Sequence, residues 1–253
     1  MAFSSDHLVQ VDNIIINTGN ILSLNDITKK SVQNPSEELI EALNITIKEY
    51  QNGHTDSQPD QPLIVSRPND DSFNKISEHD NSDLKFGFKI FLTNGDPALL
   101  IDSVEKALIM LNVTSVNNVI IAFDHKKSDV SEIKSIWTAL EAYVLQHKIN
   151  KIGIADVEEE IFRALYDWSS VKPSIIQINL STCCVVPPTL QSFCKDHDIQ
   201  LLTHSDPTDI LPKASLDVVI GKEFFLKWVL RFLVHIKCRG VLTTKGYLLR
   251  LAK

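Results

Sequence analysis

The sequence predicts an α/β protein of the (β/α)8 barrel class, in which parallel strands alternate with helices. Three observations predict it. Strand and helix patterns alternate at least five times from residue 85 onwards. Residues 118–123 form a continuous apolar run, as expected of a strand that is buried on both faces. No Gly-x-Gly-x-x-Gly motif follows a predicted strand, which disfavours the doubly wound dinucleotide-binding class.

The N-terminal third precedes this alternation. Residues 14–16 are three isoleucines and predict a short strand, and residues 36–50 carry apolar side chains at helical spacing with Ser36 as the expected N-cap. Residues 51–84 are rich in Pro, Asn, Asp, Gln and Ser, and we expect them to be a long flexible loop. The organisation expected is one barrel domain over residues 1–253 with this loop inside it.

The alternating part begins with a strand and a helix whose start is marked by Asp96 as N-cap and Pro97 in the first turn. Apolar runs predict strands at 87–93, 118–123, 151–155, 174–180, 199–204 and 240–243. Helical periodicity predicts the further helices 130–147, 157–169, 188–197 and 224–235.

Composition excludes several classes of protein. The chain has 253 residues and a net charge of -7, which argues against binding to the nucleic-acid phosphate backbone. There is no apolar run long enough for a membrane span, and the N-terminus lacks the pattern of a secretory signal. We therefore expect a cytoplasmic protein whose four cysteines are mostly thiols. The cysteines form no Cys-x-x-Cys pair, so no metal site is expected.

Three segments resemble the aldo-keto reductase family: WTALEAYVLQHKINKIGIAD (137–156), VKPSIIQINLS (171–181) and LQSFCKDHDIQLLTHS (190–205). The resemblance implies a TIM-type barrel and NADPH-dependent carbonyl reduction. In that family a tyrosine protonates the carbonyl, a lysine and an aspartate tune the tyrosine, and a histidine orients the substrate oxygen. It also implies that the family's last helix and C-terminal loop are shortened in this chain.

The residues that this chemistry needs do not stand at the matching positions. None of the four tyrosines has the family's aspartate five residues before it. Asn94 and Gly95 stand where the strand-ending lysine is expected, and Phe123 stands where the histidine is expected. His125 lies just beyond, and we interpret it as a solvated loop residue. We therefore predict no catalytic residues.

The cofactor contacts are also altered. Ala155 and Asp156 replace the Ser-Asn pair that the family places after the fifth strand, and His204 replaces its ring-stacking tyrosine. Gln177 matches the nicotinamide amide contact, and Lys245 lies near the position of the lysine that holds the cofactor phosphate. These two are vestigial candidates, and no bound cofactor is expected.

One branch of the superfamily fits these losses, the modifier (regulatory) subunits of glutamate–cysteine ligase. The strings that resemble it are TGNIL (18–22), SEELIEAL (36–43), QINLSTCCVVPPTLQSF (177–193), DIQLLTHSDP (198–207) and WVLRFLVHIKCRGVLTTKGYLL (228–249). The resemblance implies a non-catalytic subunit that binds the ligase catalytic subunit as a heterodimer, improves its use of glutamate and relieves feedback inhibition by glutathione. An NADPH-dependent reductase with a displaced catalytic group and an NADPH-binding sensor stay open as alternatives.

Two features are candidates for contact with such a partner. Cys183 and Cys184 follow a predicted strand at the barrel mouth, where they are either candidates for a disulfide to another chain or a pair of small buried thiols. Cys238 lies in a basic turn and is a further candidate for such a disulfide, whereas Cys194 is predicted to face the core. Residues 222–253 contain eight basic side chains and one acidic side chain. This basic segment is either a solvated helix face or an electrostatic contact with an acidic patch on the partner.

Overall fold

The computed structural model describes residues 11–24, 27, 34–53, 62–123, 130–179 and 185–253. The chain divides into two compact units, one formed by residues 1–85 and 207–253 and the other by residues 86–206. The single domain over 1–253 stays a prediction.

The strands are β1 (Asn13–Asn17), β2 (Leu63–Ser66), β3 (Leu84–Leu92), β4 (Val116–Phe123), β5 (Ile149–Ala155), β6 (Ile175–Asn179), β7 (Gln200–His204), β8 (Phe225–Ile236) and β9 (Val241–Ala252). The α-helices are α1 (Pro35–Gly53), α2 (Ser72–Ser77), α3 (Pro97–Met110), α4 (Val130–Leu145), α5 (Glu159–Trp168), α6 (Pro188–Asp196) and α7 (Lys213–Val219). Short 3-10 turns occupy Ile21–Ser23 and Asn81–Asp83. No helix in the described part of the chain is both long enough and apolar enough to cross a membrane.

In the unit formed by residues 1–85 and 207–253, four strands pair in the order β2-β1-β9-β8. β1 and β2 are parallel, whereas β1 pairs with β9 and β9 with β8 in antiparallel fashion. Helix α1 begins at Pro35, and the Asn34 side chain accepts a hydrogen bond from the Glu37 amide at 2.9 Å. The N-cap is therefore Asn34, and the prediction that Ser36 caps this helix is wrong.

The predicted helix over 224–235 is wrong, because this segment forms strand β8. The buried side chains of Trp228, Leu230, Phe232 and Val234 recur at every second residue, which is the period of a strand. Gly240 has a φ of +61°, the left-handed conformation that the turn to β9 requires. The hairpin thus replaces the helix, and the predicted last strand extends far beyond residue 243.

Residues 51–84 contain more regular structure than a long loop. Strand β2 and helix α2 lie within this segment, and Ile14 of β1 is in register with Leu63 of β2. Arg67 is buried, and its guanidinium donates hydrogen bonds to the carbonyl oxygens of Thr18 and Asn20, both at 2.8 Å. The prediction of a loop is therefore wrong for these elements, since their apolar and arginine side chains have partners in β1 and the turn after it. The flexibility of residues 51–84 stays a prediction.

In the unit formed by residues 86–206, five parallel strands pair in the order β3-β4-β5-β6-β7, each connected to the next by a helix. The sheet is packed by small and branched side chains, with a core cluster of Ile120, Ala122, Ala155 and Ile175. Helix α3 begins as predicted, because the Asp96 side chain accepts a hydrogen bond from the Ala98 amide at 2.9 Å.

This unit confirms the prediction of an α/β fold built from parallel βαβ units, the arrangement that a TIM-type barrel uses. Among the described residues of the unit, no hydrogen-bonded pairing closes β7 onto β3. Because the strands are parallel, their carboxyl ends lie along one edge of the sheet, which is the side where barrels of this class place their sites.

Candidate functional site

A buried lysine–aspartate pair lies at the carboxyl side of the sheet in residues 86–206. Lys89 is in β3 and Asp206 follows β7, and Lys89 Nζ lies 2.7 Å from Asp206 Oδ2. The two side chains are only 5% and 4% exposed. A charge buried to this degree is costly unless it is paired, so each of these two residues requires the other.

Asp206 also connects the ends of β6 and β7. Its carbonyl oxygen accepts a hydrogen bond from Asn179 Nδ2 at 2.7 Å, and its amide donates to His204 Nδ1 at 3.1 Å. Through its carboxylate, carbonyl and amide, this one residue therefore contacts side chains from three strands.

His204 lies between two carboxylates. Its Nε2 atom is 2.9 Å from Asp156 Oδ1, and its Nδ1 atom is 3.2 Å from Asp206 Oδ2. Burial by itself would lower the pKa of His204, but the hydrogen bonds with Asp156 and Asp206 outweigh burial, and the pKa is raised above its ordinary value. We call the five residues Lys89, Asp156, Asn179, His204 and Asp206 the mouth cluster.

Two further features lie in the mouth cluster or beside it. Asp156 has a φ of +59°, an uncommon conformation for a residue other than glycine, and its amide donates a hydrogen bond to the Gln177 carbonyl oxygen at 2.9 Å. The side-chain oxygen Oε1 of Gln177 is buried and has no hydrogen-bond partner. A buried acceptor without a partner is rare in folded proteins and calls for an explanation, so Gln177 supports the choice of this edge as the candidate site.

The sequence analysis missed Lys89, Asn179 and Asp206. A lysine was expected at the end of the predicted strand 87–93, at Asn94 and Gly95, whereas β3 carries Lys89 inside an apolar run. A signal was present, because a lysine in a strand predicted to be covered by helices must be buried and must find a carboxylate. The sequence alone does not say which of the many carboxylates that is.

The remaining candidates for catalysis and cofactor binding do not belong to one unit. Phe123 is the last residue of β4, and His125 lies outside the described residues. Ala155 is fully buried in the core. Lys245 belongs to the other unit, where its Nζ atom lies 2.7 Å from Glu38 Oε2. Gln177 and Lys245 are therefore in different units.

The cysteines divide between core and surface. Cys194 is buried on α6, as predicted, and burial raises the pKa of its thiol. Cys238 is exposed in the turn between β8 and β9. Cys183 and Cys184 lie outside the described residues. In the described part of the chain, no group of three or more His, Cys, Asp or Glu side chains could hold a metal ion.

Two of the four tyrosines lie in surroundings that oppose acid catalysis. Burial is the largest cause that raises the pKa of Tyr247, whose hydroxyl donates to Glu38 Oε1 at 2.6 Å, and burial together with Glu105 raises the pKa of Tyr143. A tyrosine that donates a proton during carbonyl reduction needs the opposite shift.

The raised pKa of His204 predicts a pH-dependent stability. Its contribution to folding is complete below the ordinary histidine value of about 6.5 and is lost as the pH rises through the higher folded-state value. The difference in unfolding free energy between the natural protein and His204→Gln should therefore shrink as the pH rises across this window. Urea denaturation at a series of pH values measures it, and a difference that grows with pH would contradict the direction of the shift.

Comparison with known proteins gives three findings. The aldo/keto reductase family model matches residues 75–206. The glutamate–cysteine ligase regulatory subunit of Homo sapiens is 31% identical over 257 residues, which cover 96% of this chain and 94% of the relative, and that of Rattus norvegicus is 30% identical with the same coverage. The aldose reductase of Giardia lamblia, a solved structure, matches with a TM-score of 0.41 and 16% identity over 67% of this chain and 53% of its own.

Proposed function

Because the chain belongs to the aldo/keto reductase family and, within it, to the glutamate–cysteine ligase regulatory subunits, we propose that it is a non-catalytic regulatory subunit of that ligase. The observation that carries the proposal is the extent of the match. The broad family model covers residues 75–206, whereas the regulatory subunits match 96% of the chain. The similarity to the regulatory subunits therefore includes the β8–β9 hairpin and the N-terminal elements.

The placement of the acidic and basic groups supports a non-catalytic role. Burial raises the pKa of the Tyr143 and Tyr247 hydroxyls, and the carboxylates of Glu105 and Glu38 raise it further, so neither hydroxyl is tuned to donate a proton. The buried lysine Lys89 is neutralised by Asp206 and has a histidine, rather than a tyrosine, in the same cluster. This arrangement holds strands together and lacks the tyrosine that the reductase chemistry uses as its general acid.

The residues present do not fit a nicotinamide dinucleotide as a set. Asp156 and His204 stand at positions that the family uses for the nicotinamide, and here they bond to each other at 2.9 Å. Lys245, the candidate for the cofactor phosphate, is paired with Glu38. The unsatisfied Oε1 atom of Gln177 is the observation that favours the second candidate function, an NADPH-binding sensor. A single acceptor is less than a dinucleotide needs, so we place the sensor second.

The proposed activity is a coupling between an interface and a distant active site. Binding of this chain to the ligase catalytic subunit lowers the glutamate concentration that the catalytic subunit needs and weakens its inhibition by glutathione. If the effect is on equilibrium binding of glutamate, linkage requires that glutamate tighten the heterodimer by the same factor. The two free thiols among the described cysteines agree with a reducing compartment, and we propose a cytosolic location.

The β8–β9 hairpin offers one exposed basic segment as a candidate contact with the partner. Part of the positive charge of residues 222–253 is compensated within the unit, since Lys245 pairs with Glu38 and Lys253 lies 3.8 Å from Glu223. The turn at 237–241 remains exposed and carries Lys237, Cys238 and Arg239. We propose this turn as a contact with an acidic patch on the partner, with Cys238, Cys183 and Cys184 as candidates for a covalent link.

Association of the purified chains tests the proposal. The chain and the ligase catalytic subunit should co-elute as a heterodimer on size exclusion, and a specific interface should bury more than about 1,000 Å² in total. Association should slow as salt screens the charges. Separate elution at concentrations well above those in a cell would reject the regulatory role and favour the sensor, which NADPH titration of the isolated chain then tests.

A further inference from the structure

His204 Nδ1 has two partners on the same residue. It lies 3.1 Å from the amide nitrogen of Asp206 and 3.2 Å from Asp206 Oδ2. The amide can only donate and the carboxylate can only accept, so the two contacts require opposite states of Nδ1. An unprotonated Nδ1 accepts from the amide, and a protonated Nδ1 donates to the carboxylate.

The contact of the other ring nitrogen, His204 Nε2, determines which protonation states of the ring occur. Asp156 Oδ1 lies 2.9 Å from Nε2 and accepts its hydrogen, so Nε2 carries a hydrogen in both states. The neutral ring is therefore the Nε2–H tautomer with a bare Nδ1, and uptake of one proton from solvent occurs at Nδ1. The charged groups that act on the ring are Asp156 after β5, Asp206 after β7 and Lys89 in β3, while β6 contributes the uncharged side chain of Asn179 to the cluster.

We propose that one proton at His204 exchanges the partner of its Nδ1 atom between the amide and the carboxylate of Asp206. In the protonated state the Asp206 carboxylate is shared by Lys89 and His204, and the four charges of the cluster sum to zero. In the neutral state the carboxylate keeps Lys89 and loses His204, and the Asp206 amide gains an acceptor.

The exchange of partners at His204 involves Asp206, which is bonded to side chains from several strands. The Asp206 carbonyl oxygen holds Asn179 Nδ2 at 2.7 Å, and its carboxylate holds Lys89 at the same distance. The His204 side chain is 7% exposed, whereas that of Asp156 is 34% exposed. Solvent therefore reaches the cluster from the Asp156 side, and the proton state of His204 sets the hydrogen bonds that join Lys89 of β3 to the carboxyl ends of β6 and β7.

Nitrogen NMR of the whole chain with labelled histidine tests the exchange, with His204→Gln identifying the resonances. Below the midpoint of the titration both ring nitrogens should be protonated, and above it Nδ1 should be bare and Nε2 protonated. The Asp206 amide proton should move downfield with the same midpoint, because it then gains Nδ1 as an acceptor. An Nδ1–H tautomer above the midpoint, or an Asp206 amide that does not follow His204, would overturn the proposal.

A matched pair of variants separates the cluster from general charge effects. Asp156→Asn keeps an acceptor for Nε2 and suits a positive φ, but it removes a charge beside the ring, so the midpoint should fall by about one pH unit. Asp198→Asn is the control, because Asp198 also has a positive φ, of +53°, in the same unit and is not among the groups that act on His204. Equal shifts in the two variants would also overturn the proposal.

Discussion

Replacing Asp206 with alanine should lower the free energy of unfolding by about 3–5 kcal/mol, the cost of breaking a buried ion pair by removing one partner. The variant leaves the Lys89 ammonium, which is 5% exposed, without its carboxylate at 2.7 Å. It also removes the oxygen that faces His204 Nδ1. Urea denaturation followed by far-ultraviolet circular dichroism measures the loss.

The double variant Lys89→Met with Asp206→Ala is the control for this interpretation. Once both charges are gone, no uncompensated charge is buried, and a buried pair replaced by apolar groups is often close to neutral. The double variant should therefore be more stable than Asp206→Ala alone. If the two single losses simply add, the pair does not interact and the mouth cluster does not hold the sheet in the way described.

Replacing Phe232 with alanine should cost about 3–5 kcal/mol, because it removes a large side chain from a packed core. Phe232 is fully buried in β8 opposite Gly246 of β9, and a Cβ atom added to that glycine would clash with the Phe232 ring. The ring therefore packs directly over the glycine, and its removal opens a cavity on the hairpin.

The neighbour Leu233 provides the matched control. It is only half buried, since adjacent residues of a strand point to opposite faces, so Leu233→Ala should cost clearly less than Phe232→Ala. Comparable losses in the two variants would contradict the strand assignment of residues 225–236. The same denaturation measurement serves both variants.

The sequence was sufficient where local signals are strong. Asp96 and Pro97 marked the start of α3, and the apolar runs marked the five strands of residues 86–206, because caps and buried strands depend on residues close together in the chain. The prediction of a helix over residues 224–235 was wrong for a physical reason. In β8 the half-buried residues Leu226, Leu233 and Ile236 are apolar too, so the strand period is obscured and the run also satisfies helical spacing.

The candidate site was harder to predict than the fold. His204 and Asp156 were singled out only as replacements for cofactor contacts, and Lys89 and Asp206 were not singled out. These four residues come from three strands, and Lys89 and Asp206 are separated by 117 positions in the chain. Pairing over that distance depends on the order of strands in the sheet, which a single sequence does not encode in any local pattern.

The regulatory role is tested most directly by the glutamate dependence of the ligase catalytic subunit, measured with and without a saturating amount of this chain. The half-saturating glutamate concentration should fall, and more glutathione should be needed for the same inhibition. Asp206→Ala, which should be much less stable, shows whether the effect depends on the folded state of the added chain. Identical glutamate curves and identical glutathione inhibition with and without the folded natural chain would contradict the regulatory role.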